Sequence, residues 1–237
     1  MANILLIETA TEVCGAAIAV DGQIVALQEE LDTQSHATLL TLQIQQCVEQ
    51  SGIPLRDLDA IAVSRGPGYY TALRVGSSVA KGICYALDKP LIVVDTLQAL
   101  AWASRASWPH LTQATFFAPM IDARRQEIWM ALYDAQLREV VPAQPFVLED
   151  DLFHKILPAK IWEQAGFSII LSGNGSLKAG SYFLAEETAD GGVEKSSVGY
   201  LSHLAFEHLK IGEFQDVAYY EPFYMKPPNI TIPNKVL

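Results

Sequence analysis

Asn3-Ile4-Leu5-Leu6-Ile7-Glu8-Thr9-Ala10-Thr11 is an apolar run that stops on an acid and two hydroxyls. A second strand is expected over about 14–20, the turn Asp21-Gly22 follows, and a third strand over 23–27 pairs back, giving a three-stranded meander. Hydrophobic spacing then predicts a helix over 35–50, a strand over 58–64, a glycine-rich loop and a helix over 71–87. A short strand over 91–94 and a helix over 96–105 complete this half.

The order recurs. An apolar run over 116–121 ends at Asp122, a second strand is expected over 127–133, Asp134-Ala135 turns, and 137–141 can pair back. A helix over 150–164 and a strand over 168–171 follow, and the strand runs into Ser172-Gly173-Asn174-Gly175, where the first half has Ser64-Arg65-Gly66-Pro67-Gly68. Glu8 to Asp21 and Asp122 to Asp134 are nearly the same interval, the mark of a duplicated unit. Two such units predict an α/β chain with two lobes, each a mixed sheet flanked by helices, and a cleft between them. That is the ribonuclease H-like fold of the actin, sugar kinase and chaperone ATPase superfamily. The lobes are expected at residues 1–110 and 111–215, the second including the final helix over 198–209. Residues 216–237, with Pro222, Pro227, Pro228 and Pro233, read as an extended tail.

Half of the 237 residues are hydrophobic, enough for a substantial core, while the formal net charge of −11 repels a nucleic-acid backbone on average. Cys14, Cys47 and Cys84 are scattered and odd in number, which fits reduced core thiols in a cytoplasmic protein better than a disulfide framework. The N-terminus lacks the basic segment of a secretion signal, and no run approaches the roughly 20 apolar residues of a membrane helix.

Two loops are candidate ligand sites. Glu8, Thr9 and Thr11 put an acid, hydroxyls and backbone N–H groups at a strand end, as a phosphate or Mg-bound nucleotide requires, although threonines also close ordinary turns. In Ser64 to Gly76, Gly66 and Gly68 make a tight strand-to-helix loop, Thr71 is placed to cap the helix, and Arg74 lies one turn on. The Gly-Lys-Ser/Thr ending of a P-loop is missing.

The stretch Ser64-Arg65-Gly66-Pro67-Gly68-Tyr69-Tyr70-Thr71-Ala72-Leu73-Arg74-Val75-Gly76 resembles the Ser-Arg-Gly-Pro-Gly-Ser-Phe-Thr-Gly-Leu-Arg-x-Gly signature of the TsaB (YeaZ) family and its catalytic paralogue TsaD. Ile4-Leu5-Leu6-Ile7-Glu8-Thr9, Ala80-Lys81-Gly82 and Ile121-Asp122-Ala123-Arg124-Arg125-Gln126-Glu127-Ile128-Trp129 extend the resemblance into both halves. Tyr69, Tyr70 and Ala72 depart from the signature's Ser, Phe and Gly, and Glu8 stands where TsaB chains usually carry Asp. TsaD's His-x-x-x-His pair aligns with Thr96 and Leu100, and the chain's five histidines include no pair three or four residues apart, so no metal site is expected. Asp122-Ala123-Arg124 stands where nucleotide-binding relatives carry a second phosphate loop.

The resemblance implies a non-catalytic scaffold or activating subunit, with no enzymatic activity alone, that binds TsaD and supports threonylcarbamoyl transfer to the adenosine beside the anticodon of tRNA. It implies no required cofactor, at most weak ATP or ADP binding, the TsaE ATPase as a further partner, a homodimer when alone, and tRNA met only through the complex. The alternative is an actin-like ATPase or phosphotransferase acting on its own. A metallopeptidase reading lacks its histidine pair. Residues 35–48 contain no Lys, Arg, Asp or Glu. Ala37, Leu40, Ile44, Cys47 and Val48 suit the lobe's own core, while Leu39, Leu42, Gln43 and Gln46 are expected to face a partner. Gly76, Ser77 and Ala80 on the next helix either join that interface or pack internally.

Overall fold

The computed structural model describes residues 1–31, 36–108, 111–149, 152–163, 166–183 and 188–226. The expected two-lobed ribonuclease H-like fold is present as two five-stranded mixed sheets. The first contains β1 (Asn3–Glu8), β2 (Val13–Val20), β3 (Gln23–Leu31), β4 (Ala60–Ser64) and β5 (Leu91–Val94), in the order β3-β2-β1-β4-β5. β1 runs antiparallel to β2 and parallel to β4. Its unbroken apolar run follows from that position, because a central strand with both faces covered has no side to leave polar.

α1 (His36–Ser51) and α2 (Tyr70–Leu87) cover one face of this sheet. The second sheet repeats the plan with β6 (Thr115–Asp122), β7 (Glu127–Asp134), β8 (Glu139–Val147), β9 (Ser168–Ser172) and β10 (Thr188–Asp190), ordered β10-β9-β6-β7-β8. β10 was not foreseen. The helix expected over 150–164 is two short ones, α4 (Leu152–Ile156) and α5 (Ala159–Trp162), as Pro158 between them cannot continue an N–H ladder. A one-turn helix, α6 (Ser176–Ala179), follows β9.

The expected lobe boundaries need correction at two helices. α3 (Thr96–Ser107), which belongs to the first half in sequence, packs Leu97, Leu100 and Ala101 against Phe117, Ile121 and Ile170 of the second sheet. α7 (Leu201–Ile211), assigned to the second lobe, packs Leu201, Leu204 and Ala205 on Ile4, Leu6, Ala62 and Ile92 of the first. The two helices lie between the sheets, joined by a ring stack of Trp102 on His203 with centroids 5.1 Å apart.

The tail is not simply extended. Gln215 bridges to Leu91, Tyr220 is buried in the first lobe's core, Lys81 Nζ donates to the carbonyls of Ala218 (3.2 Å) and Tyr220 (2.9 Å), and Phe223 N donates to Arg65 O at 2.8 Å. Pro227, Pro228 and Pro233 lie outside the described residues. Among the described residues no helix is long and apolar enough to cross a membrane.

Candidate functional site

The two candidate loops meet where β1 and β4 end side by side. Glu8 is fully buried, and its Oε1 accepts from Ala10 N at 2.6 Å and from Ser64 Oγ at 2.9 Å. Burial pushes its carboxyl from the ordinary 4.5 up to about 7, against the lowering effect of those two donors. Thr9 Oγ1 is buried without a hydrogen-bond partner, and Thr11 Oγ1 accepts from Val13 N at 3.4 Å. The glycine loop closes over this turn. Tyr69 N donates to Ala10 O at 2.7 Å, and a Cβ on Gly68 would stand 2.2 Å from that same oxygen, so only glycine fits.

This packing corrects the ligand-facing reading of most of the first-lobe set. Glu8, Thr9, Thr11, Gly66 and Gly68 are buried, and the polar groups of Glu8 and Thr11 are engaged within the protein. Thr71 does not cap α2: the helix begins at Tyr70, the cap position is Tyr69, and Thr71 is an exposed residue of the first turn. Arg74 is exposed, with Nη1 donating to Tyr70 OH at 3.1 Å.

A network that sequence reasoning missed crosses from one lobe to the other. Asn174 Nδ2, on the turn after β9, donates to Glu12 Oε2 at 2.5 Å and to Tyr69 OH at 3.2 Å, while its Oδ1 accepts from Asp122 N at 2.9 Å. Lys178 Nζ bonds Asp122 Oδ1 at 2.8 Å and Glu127 O at 3.0 Å, and Lys226 pairs with Glu127. Burial, with Glu12 nearby, holds the Tyr69 phenol above its ordinary value, so it stays protonated. Asn174 was visible as part of a glycine turn; Glu12 and Lys178 belong to no motif spacing. The cleft mouth is thus tied across by side chains.

Thr96 and Leu100 are buried, Leu100 in the core between α3 and the second sheet. Among the described residues no group of three His, Cys, Asp or Glu is placed to hold a metal ion.

The outer helical face also differs from expectation. Gln43 points inward, donating from Nε2 to Cys14 O at 3.0 Å and accepting from Cys14 Sγ at 3.4 Å. It shares the buried stripe of His36, Leu40, Ile44 and Cys47, four elements of one helical face spaced by three or four residues. Ala37, placed in the core by pattern, is exposed. Leu39 is half-buried, Gln46 is exposed, and Leu42 is 54% exposed. On α2, Gly76, Ser77 and Ala80 are buried and serve internal packing, with Ser77 Oγ donating to Leu73 O at 2.7 Å. The exposed stripe is instead Ser78, Gly82 and Tyr85, and nothing lies within 4 Å of a Cβ built on Gly82.

The family model for TsaD, tRNA N6-adenosine threonylcarbamoyltransferase, matches residues 25–145. The chain is similar to the tRNA threonylcarbamoyladenosine biosynthesis protein TsaB of Escherichia coli, 36% identical over 131 residues, 55% of this chain and 54% of that protein. It is also similar to TsaB of Bacillus subtilis, 29% identical over 151 residues, 62% of this chain and 63% of that one. The chain therefore spans roughly half to two thirds of the length of the curated relatives it matches. Among solved structures, YeaZ from Pseudomonas aeruginosa shares the fold at 24% identity with a TM-score of 0.77, covering 94% of this chain and 100% of that one.

Proposed function

The chain belongs to the TsaB (YeaZ) family of TsaD paralogues, and from that premise we propose that it is a non-catalytic subunit that docks TsaD during tRNA threonylcarbamoyladenosine synthesis. The observation that carries this reading is the charge-poor outer face of α1 and α2, uncharged between the exposed Arg74 at the start of α2 and the exposed Glu49 at the end of α1. Leu42 and Gln46 stand beside a second helix that offers Ser78, Gly82 and Tyr85 to solvent, where a free surface ordinarily carries charges. Gly82, open above its Cα, lets another helix approach closely.

The chemistry of the first-lobe loops supports an accessory role. An ATPase or phosphotransferase needs an acid and hydroxyls presented to a Mg-bound nucleotide, but here Glu8 and Thr11 are bonded internally and Thr9 is walled off by α2. ATP or ADP then binds weakly, TsaD supplies the transfer chemistry, and tRNA is held by the assembly. The same helical face pairs two copies of the chain when TsaD is absent, and TsaE joins the assembled pair.

Reconstitution with TsaD from the same source tests this. Modified adenosine should form only when both chains are present, and the two should co-elute in size-exclusion chromatography. Full transfer by TsaD without this chain, or no association between them, would overturn the proposal.

A further inference from the structure

The loop that departs from the family signature at Tyr69 and Tyr70 carries an arrangement that scaffolding does not use. Arg124, at the tip of the β6–β7 hairpin, lies over the Tyr69 ring with Cζ 5.7 Å from its centroid. Arg74 lies over Tyr70 at 5.5 Å, and Tyr70 in turn packs on Tyr224 with centroids 4.7 Å apart. Arg65 completes the series over Phe223 at 5.6 Å. Three guanidinium-on-aromatic contacts thus border one glycine loop.

The charges divide unevenly around these rings. Arg65, Lys178 and Lys226 are paired with Asp95, Asp122 and Glu127, and Glu12 is engaged by Asn174. Arg74, Arg124 and Arg125 are exposed and, among the described residues, form no ion pair. Glu221, whose charge reaches Tyr224, and Glu12, whose charge reaches Tyr69, are opposing carboxylates on this side. Arg124 and Arg125 also occupy left-handed backbone, at φ 66° and 51°, positions that glycine or asparagine fills more easily. On a chain of net charge −11, three arginines without ion pairs, two of them over tyrosine rings and Arg125 next to Arg124 in sequence, are a local reversal of the surface.

We propose that this arginine–tyrosine rim, Arg74, Arg124 and Arg125 around Tyr69 and Tyr70, contacts the single-stranded loop of an RNA. Guanidinium groups take phosphate oxygens bidentately and offer a flat face to an unpaired base, and the tyrosines beneath Arg74 and Arg124 hold those two guanidinium groups in place. A duplex would present only phosphates and leave the guanidinium faces unused. The inference rests on the reading that the chain works in tRNA modification, and it adds a direct contact to an RNA otherwise held by the assembly.

Fluorescence anisotropy of the purified full chain with a labelled oligouridylate at low salt tests it. Wild type should bind weakly and lose affinity steeply as salt rises. Arg74→Glu/Arg124→Glu/Arg125→Glu should weaken binding by about tenfold or more and lower the slope of log affinity against log salt by about 2, from three lost single-strand contacts. Arg56→Glu/Lys155→Glu/Lys210→Glu makes the same charge change at exposed ion pairs elsewhere and should shift affinity by no more than about twofold at such sites. Should the first variant lose its circular dichroism, the corresponding triple Gln variant carries the test with the same direction of loss. Absence of wild-type binding, or equal loss in both charge-reversed variants, overturns the inference. TsaD pull-down of the wild-type chain separates the two readings: docking without RNA binding sinks only this one, and failed docking with RNA binding retained sinks only the scaffold role.

Discussion

Gly76 and Thr9 touch so closely that a Cβ on the glycine would stand 2.2 Å from Thr9 Oγ1. Helix α2 therefore lies directly on the turn after β1, and the buried Thr9 hydroxyl has little room to yield. Gly76→Ala should destabilise the protein by about 1–3 kcal/mol through overpacking, read as a lower urea midpoint. Gly82→Ala, on the open side of the same helix, should instead stabilise by about 0.5–1 kcal/mol through helix propensity alone. Equal effects at both positions would refute the close-packed reading.

The repeat was legible because strand burial is local: Ile4 to Ile7 and Phe116 to Ile121 are apolar whichever neighbour covers them. The exchange of α3 and α7 was not, since an apolar helical stripe states that it is covered but not by which sheet. Pro158 was a readable breaker inside the expected helix over 150–164. Gln43 misled for a physical reason, as its amide satisfies the Cys14 carbonyl inside the core and so sits at a position polarity alone assigns to solvent. In the site, the glycine loop was legible from its residue types, while Glu12 and Lys178 are joined to Asn174 and Asp122 only by the fold.

Glu8 makes stability depend on pH. Its folded value of about 7 exceeds the ordinary 4.5, so the folded state holds a proton that the unfolded chain has already released in between. Stability from this group is complete below about 4.5, falls as pH rises towards 7, and stays lost above it. Glu8→Gln keeps a hydrogen-bond acceptor for Ala10 N and Ser64 Oγ without a charge to bury. The variant should match wild type near pH 5 and exceed it by a few kcal/mol near pH 8, an order-of-magnitude figure from the linkage relation. A difference that stays flat across that range would show that the carboxylate is accommodated ionised.

Tyr220 and Tyr219 separate an anchored tail from a loose one. Tyr220 is 9% exposed and packs with Cys84 and Leu91, whereas Tyr219 is 85% exposed. Tyr220→Ala should cost about 3 kcal/mol by emptying a core position. Tyr219→Ala should change stability by no more than about 0.5 kcal/mol. Denaturant unfolding of the pair decides whether residues 215–223 belong to the cooperative unit.

Leu42→Glu should abolish association while leaving the monomer folded. Leu42 is 54% exposed on α1, one face away from Leu40, which is fully buried beneath the helix. A carboxylate at 42 reaches water in the isolated chain, so unfolding free energy should move by no more than about 0.5 kcal/mol. Within a complex the same carboxylate loses its hydration without gaining a partner, at a cost of several kcal/mol, or roughly a hundredfold or more in affinity. Leu40→Glu is the opposite case: the charge enters the lobe's own core beside Ile44 and Cys47, and the protein should fail to fold. Light scattering reports self-association and pull-down reports TsaD docking. If Leu42→Glu assembles as wild type does in both, the charge-poor face of α1 and α2 is ordinary surface and the docking site lies elsewhere.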